Sequence, residues 1–577
     1  MRGRVSFYAV VGAVAALNVG VAARFLTHAP IVDGWAVWNR LMLFDAGQMP
    51  LSQYVLGFFG AHPHSIAMLL GLLDDRFALA DQRLFAVADY AAVGAFALFC
   101  AHRVRAWAMA GGASSRALVA GGAAVAALTT TLADWQVMTL PFQAVLSVSR
   151  LVYVVLLWWL VRALRADAAA PGWRLVTLLS CVSVTFHGTG LLFALVFLGL
   201  HVRLGVRDAR LVGAAAPLAS ALLHAGLYKS ADELGSVGGI VSASGALQAT
   251  RALFAYFATP LLPLRDLLGD KPLLAAGAAS FAFTAWTAWR CLRPGAGVTP
   301  GRTRDGATAD DDHRVFAGAV SILVLASAAA AAVLMAIRGG PDAVDRVLEA
   351  TRYVAYAVLP LVLLVAALSR PSAGAPASRG AATATAIVVL LAALGLYPAL
   401  VFQDTYRNDI ILNKAVAALS VGVSPIEPPA RAVWLEARDD WYWSKALPQT
   451  TRHLMAEHRG PWAHLPALGQ IQAATPPLAR IAVLGNAPCA PACPAGVHEF
   501  SGTFTARDGS GFGRSRAVPI LDAAGRVVGF AAQAKPLALS RRREVFGFLV
   551  ANGATLPDPV FAGLPEVADD ADGRRQP

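Results

Sequence analysis

The sequence has little charge, which excludes a soluble globular protein. Asp, Glu, Lys and Arg make up 15% of the 577 residues, whereas 57% are hydrophobic and the mean hydropathy is +0.55. The apolar residues form runs of about 20 rather than amphipathic stripes, and a run of that length crosses the hydrocarbon core of a bilayer. The composition therefore predicts an integral membrane protein.

Acidic residues are fewer than basic ones, 36 against 48, which leaves a net charge of +12. In a soluble protein this excess would indicate nucleic-acid binding. Here the arginines lie in short loops between apolar runs, where they set the orientation of the spans. We therefore expect the lipid bilayer as a partner, and no nucleic acid.

A small-residue cleavage site is lacking after the first apolar run, so this run is interpreted as a retained helix. Loop arginines place the N-terminus in the cytoplasm. The alanine- and arginine-rich composition suggests a bacterium, so we expect a bacterial inner (plasma) membrane. The orientation given by the loop arginines requires the run 173–202 to form two spans, separated at His187-Gly188-Thr189-Gly190. It also excludes 251–269 as a span, and we interpret this stretch as an interfacial or re-entrant segment. The eleven predicted spans are 5–27, 83–101, 117–133, 149–164, 173–186, 188–202, 211–228, 272–291, 315–337, 353–369 and 382–401.

The predicted fold is mainly α, a polytopic transmembrane bundle over 1–401 with a long first outside loop, 28–82. Residues 402–577 are expected to form an extracytoplasmic α+β domain, periplasmic in a two-membrane bacterium. Strand-like composition and partial alternation mark four stretches of this tail, namely 481–484, 498–506, 518–533 and 544–550.

Cysteine is scarce, with five in the chain. Three of them lie in or beside spans and are interpreted as apolar fillers. Cys489 and Cys493 lie in the tail, where a short-loop disulfide is favoured over free thiols or a metal pair, since no histidine has finger-like spacing.

Several polar residues are candidates for chemistry. Asp33, just past the first span, is either a general base or a helix N-cap. The same loop carries His62, His64, Asp45 and the pair Asp74-Asp75, which are compatible with a divalent metal or with helix capping and interfacial hydrogen bonds. Arg150 and Arg352 lie at the outer ends of predicted spans. An arginine there either extends its charged group to the membrane interface or binds the phosphate of a lipid carrier. No cofactor is assigned, and a divalent metal is left open.

Five short motifs follow one another along residues 1 to about 401. They read Asp33-Gly34-Trp35, His64-Ser65-Ile66 with Asp74, Trp135 with Phe142-Gln143, His187-Gly188-Thr189-Gly190-Leu191, and Thr351-Arg352-Tyr353. The order of these motifs resembles the GT-C superfamily of membrane glycosyltransferases, in particular an uncharacterised bacterial branch. The sequence departs from the family pattern at Pro63 and Ser65, where the pattern has Glu and Arg.

The resemblance implies an inverting transfer from a polyprenyl-phosphate-linked sugar donor to a glycan or lipid acceptor. Asp33 would deprotonate the acceptor, while Arg352 and Arg150 would stabilise the leaving phosphate. Trp35 and Trp135 would contact sugar faces, and His64, Asp74, Gln143 and Tyr353 would complete the substrate site. Two rival functions stay open, a transporter or flippase for lipid-linked saccharides and a non-catalytic assembly component.

Overall fold

A computed structural model describes most of the chain. Its contacts divide the chain into two compact units. The first holds 1–26, 50–70 and 85–401, and the second holds 27–49, 71–84 and 402–577. The described residues are 2–23, 26, 34–59, 62–134, 137–138, 140–165, 172–204, 206, 209–228, 243–293, 309–339, 342–369, 411–424, 447–463, 465–471, 478–489, 494–505, 517–522, 524–533, 542–550 and 560–563.

The first unit is built from helices, as the apolar runs predict. Six helices in the described part of the chain are long and apolar enough to cross a membrane, and they are the helices of a membrane protein. The helices of this unit are Arg2–Ala23, Leu51–Leu56, Arg83–Ala110, Ser115–Thr129, Ala144–Arg165, Gly172–Ser183, Thr189–Arg203, Ala209–Tyr228, Ala243–Ala258, Arg265–Leu268, Asp270–Leu292, Ala309–Gly339, Ala343–Glu349, Val354–Ala357 and Leu359–Leu368. Helix Ser65–Ala78 begins in the first unit and ends in the second.

The predicted break in the run 173–202 is confirmed. One helix ends at Ser183 and the next begins at Thr189. The segment 251–269 is helical up to Ala258 and then forms a 3-10 turn, Thr259–Leu264, whose two prolines cannot continue an α-helix. Whether this segment is interfacial stays a prediction, and the predicted span 382–401 lies outside the described residues.

The second unit combines parts of the first outside loop with the tail, whereas the sequence analysis had assigned that whole loop to the membrane domain. Hydrogen bonds within the unit explain the grouping. Asn39 Nδ2 donates to Thr450 Oγ1 at 2.9 Å, and the backbone N–H of Gly460 donates to Leu79 O at 2.8 Å. Its helices are Gly34–Asp45, Ile411–Ser420 and Leu447–Ala456.

The tail contains a closed antiparallel barrel of six strands. The strands are β3 (Leu478–Pro488), β4 (Val497–Thr505), β5 (Val518–Leu521), β6 (Val527–Gln533), β7 (Arg542–Val550) and β8 (Val560–Gly563). They pair in the order β3-β4-β7-β6-β5-β8, and each of the four stretches with strand-like composition overlaps at least one of them. The core of the barrel consists of alternate inward side chains, among them Ile481, Phe500 and Leu549.

Candidate functional site

A short hairpin and the residue that follows it carry two histidines of the first unit, His62 and His64. Its strands are β1 (Phe58–Phe59) and β2 (His62–Pro63), which pair antiparallel. Ser65, directly after His64, donates its backbone N–H to Thr185 O at 3.3 Å and its hydroxyl to the same oxygen at 2.9 Å. These bonds anchor the hairpin beside the turn that joins helices Gly172–Ser183 and Thr189–Arg203.

Three imidazole rings meet there, and we name His62, His64 and His187 the histidine trio. The ring centroids of His62 and His187 are 5.4 Å apart, those of His64 and His187 5.9 Å, and those of His62 and His64 6.2 Å. Gly188 is required for this approach, since a Cβ added to it would lie 2.1 Å from His62 Nδ1. Sequence reasoning found His64 but treated His187 only as part of a helix break.

The hydrogen bonds of His187 define its tautomer. The backbone N–H of Thr189 donates to His187 Nδ1 at 3.3 Å, so this nitrogen accepts and the proton of the neutral ring is on Nε2. Burial holds the pKa of His187 well below its usual value, and His62, His64 and Arg352 lower it further. At neutral pH His187 is therefore a neutral ring with one N–H to donate.

Arg352 supplies a positive charge beside the trio. It lies on the 3-10 turn Thr351–Tyr353, is partly buried and interacts electrostatically with His187. Its guanidinium carbon is 5.7 Å from the Tyr353 ring, which in turn is 5.3 Å from the Tyr256 ring. The structure thus brings Arg352, Tyr353 and His64, three predicted site residues, into one region of the first unit.

Gln143 belongs to a neighbouring turn. It ends the 3-10 helix Pro141–Gln143 and is buried. The preceding Phe142 ring lies 5.6 Å from the His64 ring. The turn that contains Gln143 therefore packs against the histidine trio through Phe142.

Arg150 is buried in the helix Ala144–Arg165, with 2% of its surface exposed. It donates from a terminal nitrogen to Ala355 O at 2.7 Å, and its guanidinium carbon is 4.4 Å from the Phe96 ring. These contacts tie it to the segment that follows Arg352. Its predicted direct contact with a carrier phosphate stays a prediction.

Two carboxylates share the interior with Arg150. Asp89 and Asp134 are both buried, and both interact electrostatically with the arginine. The sequence analysis did not include either residue in the site. The signal that could have found them is an ionisable side chain in or beside an apolar span, which is costly and therefore informative.

Asp74 and Trp35 belong to the second unit. The Asp74 carboxylate accepts the backbone N–H groups of Gln82 and Leu84, each at 2.7 Å. Burial nevertheless raises the pKa of Asp74 to about 6. Trp35 is fully buried. These described contacts favour structural roles, and substrate contact by either residue stays a prediction.

Three further predicted residues, Asp33, Trp135 and Cys493, lie outside the described residues. Cys489 is disulfide-bonded, while Cys100, Cys181 and Cys291 are free. The pairing of Cys489 with Cys493 stays a prediction.

The histidine trio does not fit a metal ion. Within the described part of the chain, no group of three or more His, Cys, Asp or Glu side chains has a geometry that could hold one.

Comparisons with known proteins add one distant likeness. No family model and no curated protein matches the chain. Among solved structures the chain is similar to the archaeal oligosaccharyltransferase AglB from Archaeoglobus fulgidus, in complex with an inhibitory peptide and a dolichol-phosphate. Identity is 11%, the TM-score is 0.28, and the match covers 78% of this chain. It covers 59% of AglB, and a likeness with so low a TM-score assigns neither fold nor activity.

Proposed function

We propose that the protein is a membrane glycosyltransferase of the GT-C type. It would move a sugar from a polyprenyl-phosphate carrier to an extracytoplasmic glycan or lipid acceptor at a bacterial inner membrane. The observation that carries the proposal is the convergence of Arg352 with the histidine trio inside a unit of apolar helices. Donors and a positive charge gathered in such a unit suit the phosphate of a lipid carrier.

In this proposal Arg352 forms charged hydrogen bonds to the phosphate oxygens, and the Nε2–H of His187 donates a further hydrogen bond to the phosphate. Both interactions strengthen as the bond from the anomeric carbon to the phosphate oxygen breaks, because negative charge then grows on that oxygen. Arg150 has a positioning role, since its hydrogen bond to Ala355 O holds the chain just after Arg352. Asp33 acts as the general base for the acceptor hydroxyl, as the resemblance to the GT-C superfamily implies, and the transfer inverts the anomeric carbon.

Binding of undecaprenyl phosphate to the purified full-length protein tests this assignment. Arg352→Ala should weaken binding by about tenfold to a hundredfold, because hydrogen bonds to charged groups contribute about 1.5–3 kcal/mol. Arg352→Lys should recover part of the affinity, since it keeps the charge and loses the bidentate geometry. Arg251→Ala is the matched control, because Arg251 is an exposed arginine of the same unit. Equal affinity of Arg352→Ala and Arg251→Ala would refute the role of Arg352.

A transporter or flippase for lipid-linked saccharides is the second candidate. The buried charges of Asp89, Asp134 and Arg150 favour it, because charges in spans often line a substrate or ion pathway. Mass spectrometry of carrier lipids and surface glycans from a strain lacking the gene separates the two functions. A missing sugar supports transfer, whereas accumulation of a complete lipid-linked unit supports transport.

A further inference from the structure

A cavity in the tail is large enough for a small-molecule ligand. It measures about 440 Å³, which lies within the range of about 300–1,000 Å³ found for small-molecule sites. It lies between the helix Leu447–Ala456, the turn that follows it and strand β6, all of which belong to the second unit. Apolar side chains form much of its wall, among them Met455, Leu465 and Phe530.

The polar part of the lining includes one arginine and one histidine. Arg452 and His458 both line the cavity and both are exposed, and none of the described lining residues is acidic. Trp462 is held in place, because its indole N–H donates to Ser420 Oγ at 3.1 Å. The cavity therefore combines a fixed apolar wall with positive charge, which is complementary to a ring compound that carries an anionic group.

The backbone at His458 adds an independent argument. The helix ends in a Schellman motif, in which Arg459 N–H donates to Leu454 O at 2.8 Å and His458 N–H to Met455 O at 3.2 Å. His458 occupies the left-handed position of this motif, with a φ of +51°. Glycine is the stable residue at that position, because any side chain adds strain there. A histidine at the edge of the cavity thus costs stability, which a functional side chain would explain.

We propose that this cavity binds an anionic saccharide, with Arg452 and His458 as its charge-recognising residues. The inference deepens the proposed function and rests on it for the choice of a saccharide, since the ligand would be the acceptor glycan or part of it. Either a carboxylate, as in a uronic acid, or a phosphate ester would supply the negative charge.

Saturation-transfer NMR and calorimetry on the full-length protein in detergent test the proposal. The probes are cellobiouronic acid, cellobiose 6-phosphate, uncharged cellobiose and the acidic peptide triglutamate. We expect one of the two charged disaccharides to bind at least about tenfold more tightly than cellobiose, and the tighter one identifies the anion. Cellobiose binding as tightly as both charged disaccharides, or triglutamate binding as tightly as the better one, would overturn the proposal.

His458→Gly separates a functional histidine from a structural one. Glycine relieves the left-handed strain, so the melting temperature should rise, while affinity for the charged disaccharide falls at least about fivefold. Arg452→Gln should weaken the same binding at least about tenfold, and Arg480→Gln, an exposed arginine on β3 outside the cavity, should leave it unchanged. Unchanged affinity in both His458→Gly and Arg452→Gln would refute the inference.

The assay contains no carrier lipid, so its outcome is independent of sugar transfer. Binding of the charged disaccharide without any transferase activity would sink the proposed function and leave the cavity assignment standing. Transferase activity with no binding of any charged saccharide would do the reverse.

Discussion

Replacing Gly188 by alanine should disrupt the histidine trio with little damage to the fold. The backbone at Gly188 has φ −55° and ψ −25°, which alanine adopts without strain. The added Cβ, however, would lie 2.1 Å from His62 Nδ1, where an ordinary contact needs about 3.4 Å. The His62 ring must therefore retreat by about 1.3 Å.

The two consequences of this displacement differ in size. Overpacking costs about 1–3 kcal/mol, and the smaller entropy of the unfolded alanine chain offsets about 0.4–1 kcal/mol of that cost. We therefore expect a net loss of stability of about 1–2 kcal/mol. A displacement of about 1 Å among groups that bind a reacting substrate can cost about a hundredfold in rate, so activity should fall far more than stability.

Thermal unfolding in detergent measures the first effect, and undecaprenyl phosphate binding with mass spectrometry of the glycan product measures the second. Gly199→Ala is the matched control, because it lies in the next helix and an added Cβ there meets nothing within 4 Å. Carrier binding and product formation that are equal in Gly188→Ala and Gly199→Ala would refute the assignment of the trio to the phosphate site.

Three further predictions concern stability. Asp74 has a pKa raised from 3.8 to about 6 in the folded protein, so its contribution to stability grows as pH falls through 6 and is complete below 3.8. The change is at most about 3 kcal/mol, and Asp74→Asn should remove it from the pH dependence of unfolding. Arg459→Gln removes one of the two ion-pair partners of the buried Asp75, since Arg76 Nη1 stays 3.6 Å from its Oδ2, and chemical unfolding should show a loss of about 1.5–3 kcal/mol. Arg150→Met should cost up to about 3–5 kcal/mol, mainly because Asp134, the largest electrostatic partner of Arg150, loses its compensating charge, and an added Asp134→Asn should recover part of that loss in the same assay.

Local pattern accounts for most of what could be predicted about the fold. The helix break near Gly188 follows from two glycines beside a polar pair in an apolar run, and the barrel strands follow from alternating side chains. Neither signal shows which elements contact each other. The assignment of the loop segments 27–49 and 71–84 to the same unit as the tail was therefore missed, because it depends on hydrogen bonds between distant residues.

The candidate site shows the same limit. His64, Arg150 and Arg352 could be chosen from residue type and position beside a span. The buried charges of Asp89 and Asp134 carried a usable signal, since an ionisable side chain in or beside an apolar run needs a partner. No signal in the sequence identified His62 and His187 as neighbours, because nothing in a sequence shows that a hairpin and a helix turn are in contact.

The sequence by itself determined that this chain belongs in a bilayer, where its helices break and which tail segments are strands. Each of these properties depends on residues close together in the chain, through hydropathy, periodicity and turn-forming residues. Only the tertiary structure decided that Arg150 bonds to Ala355, 205 positions away, and that three histidines from two segments form one cluster. Such contacts arise from the packing of whole elements, which no local pattern encodes.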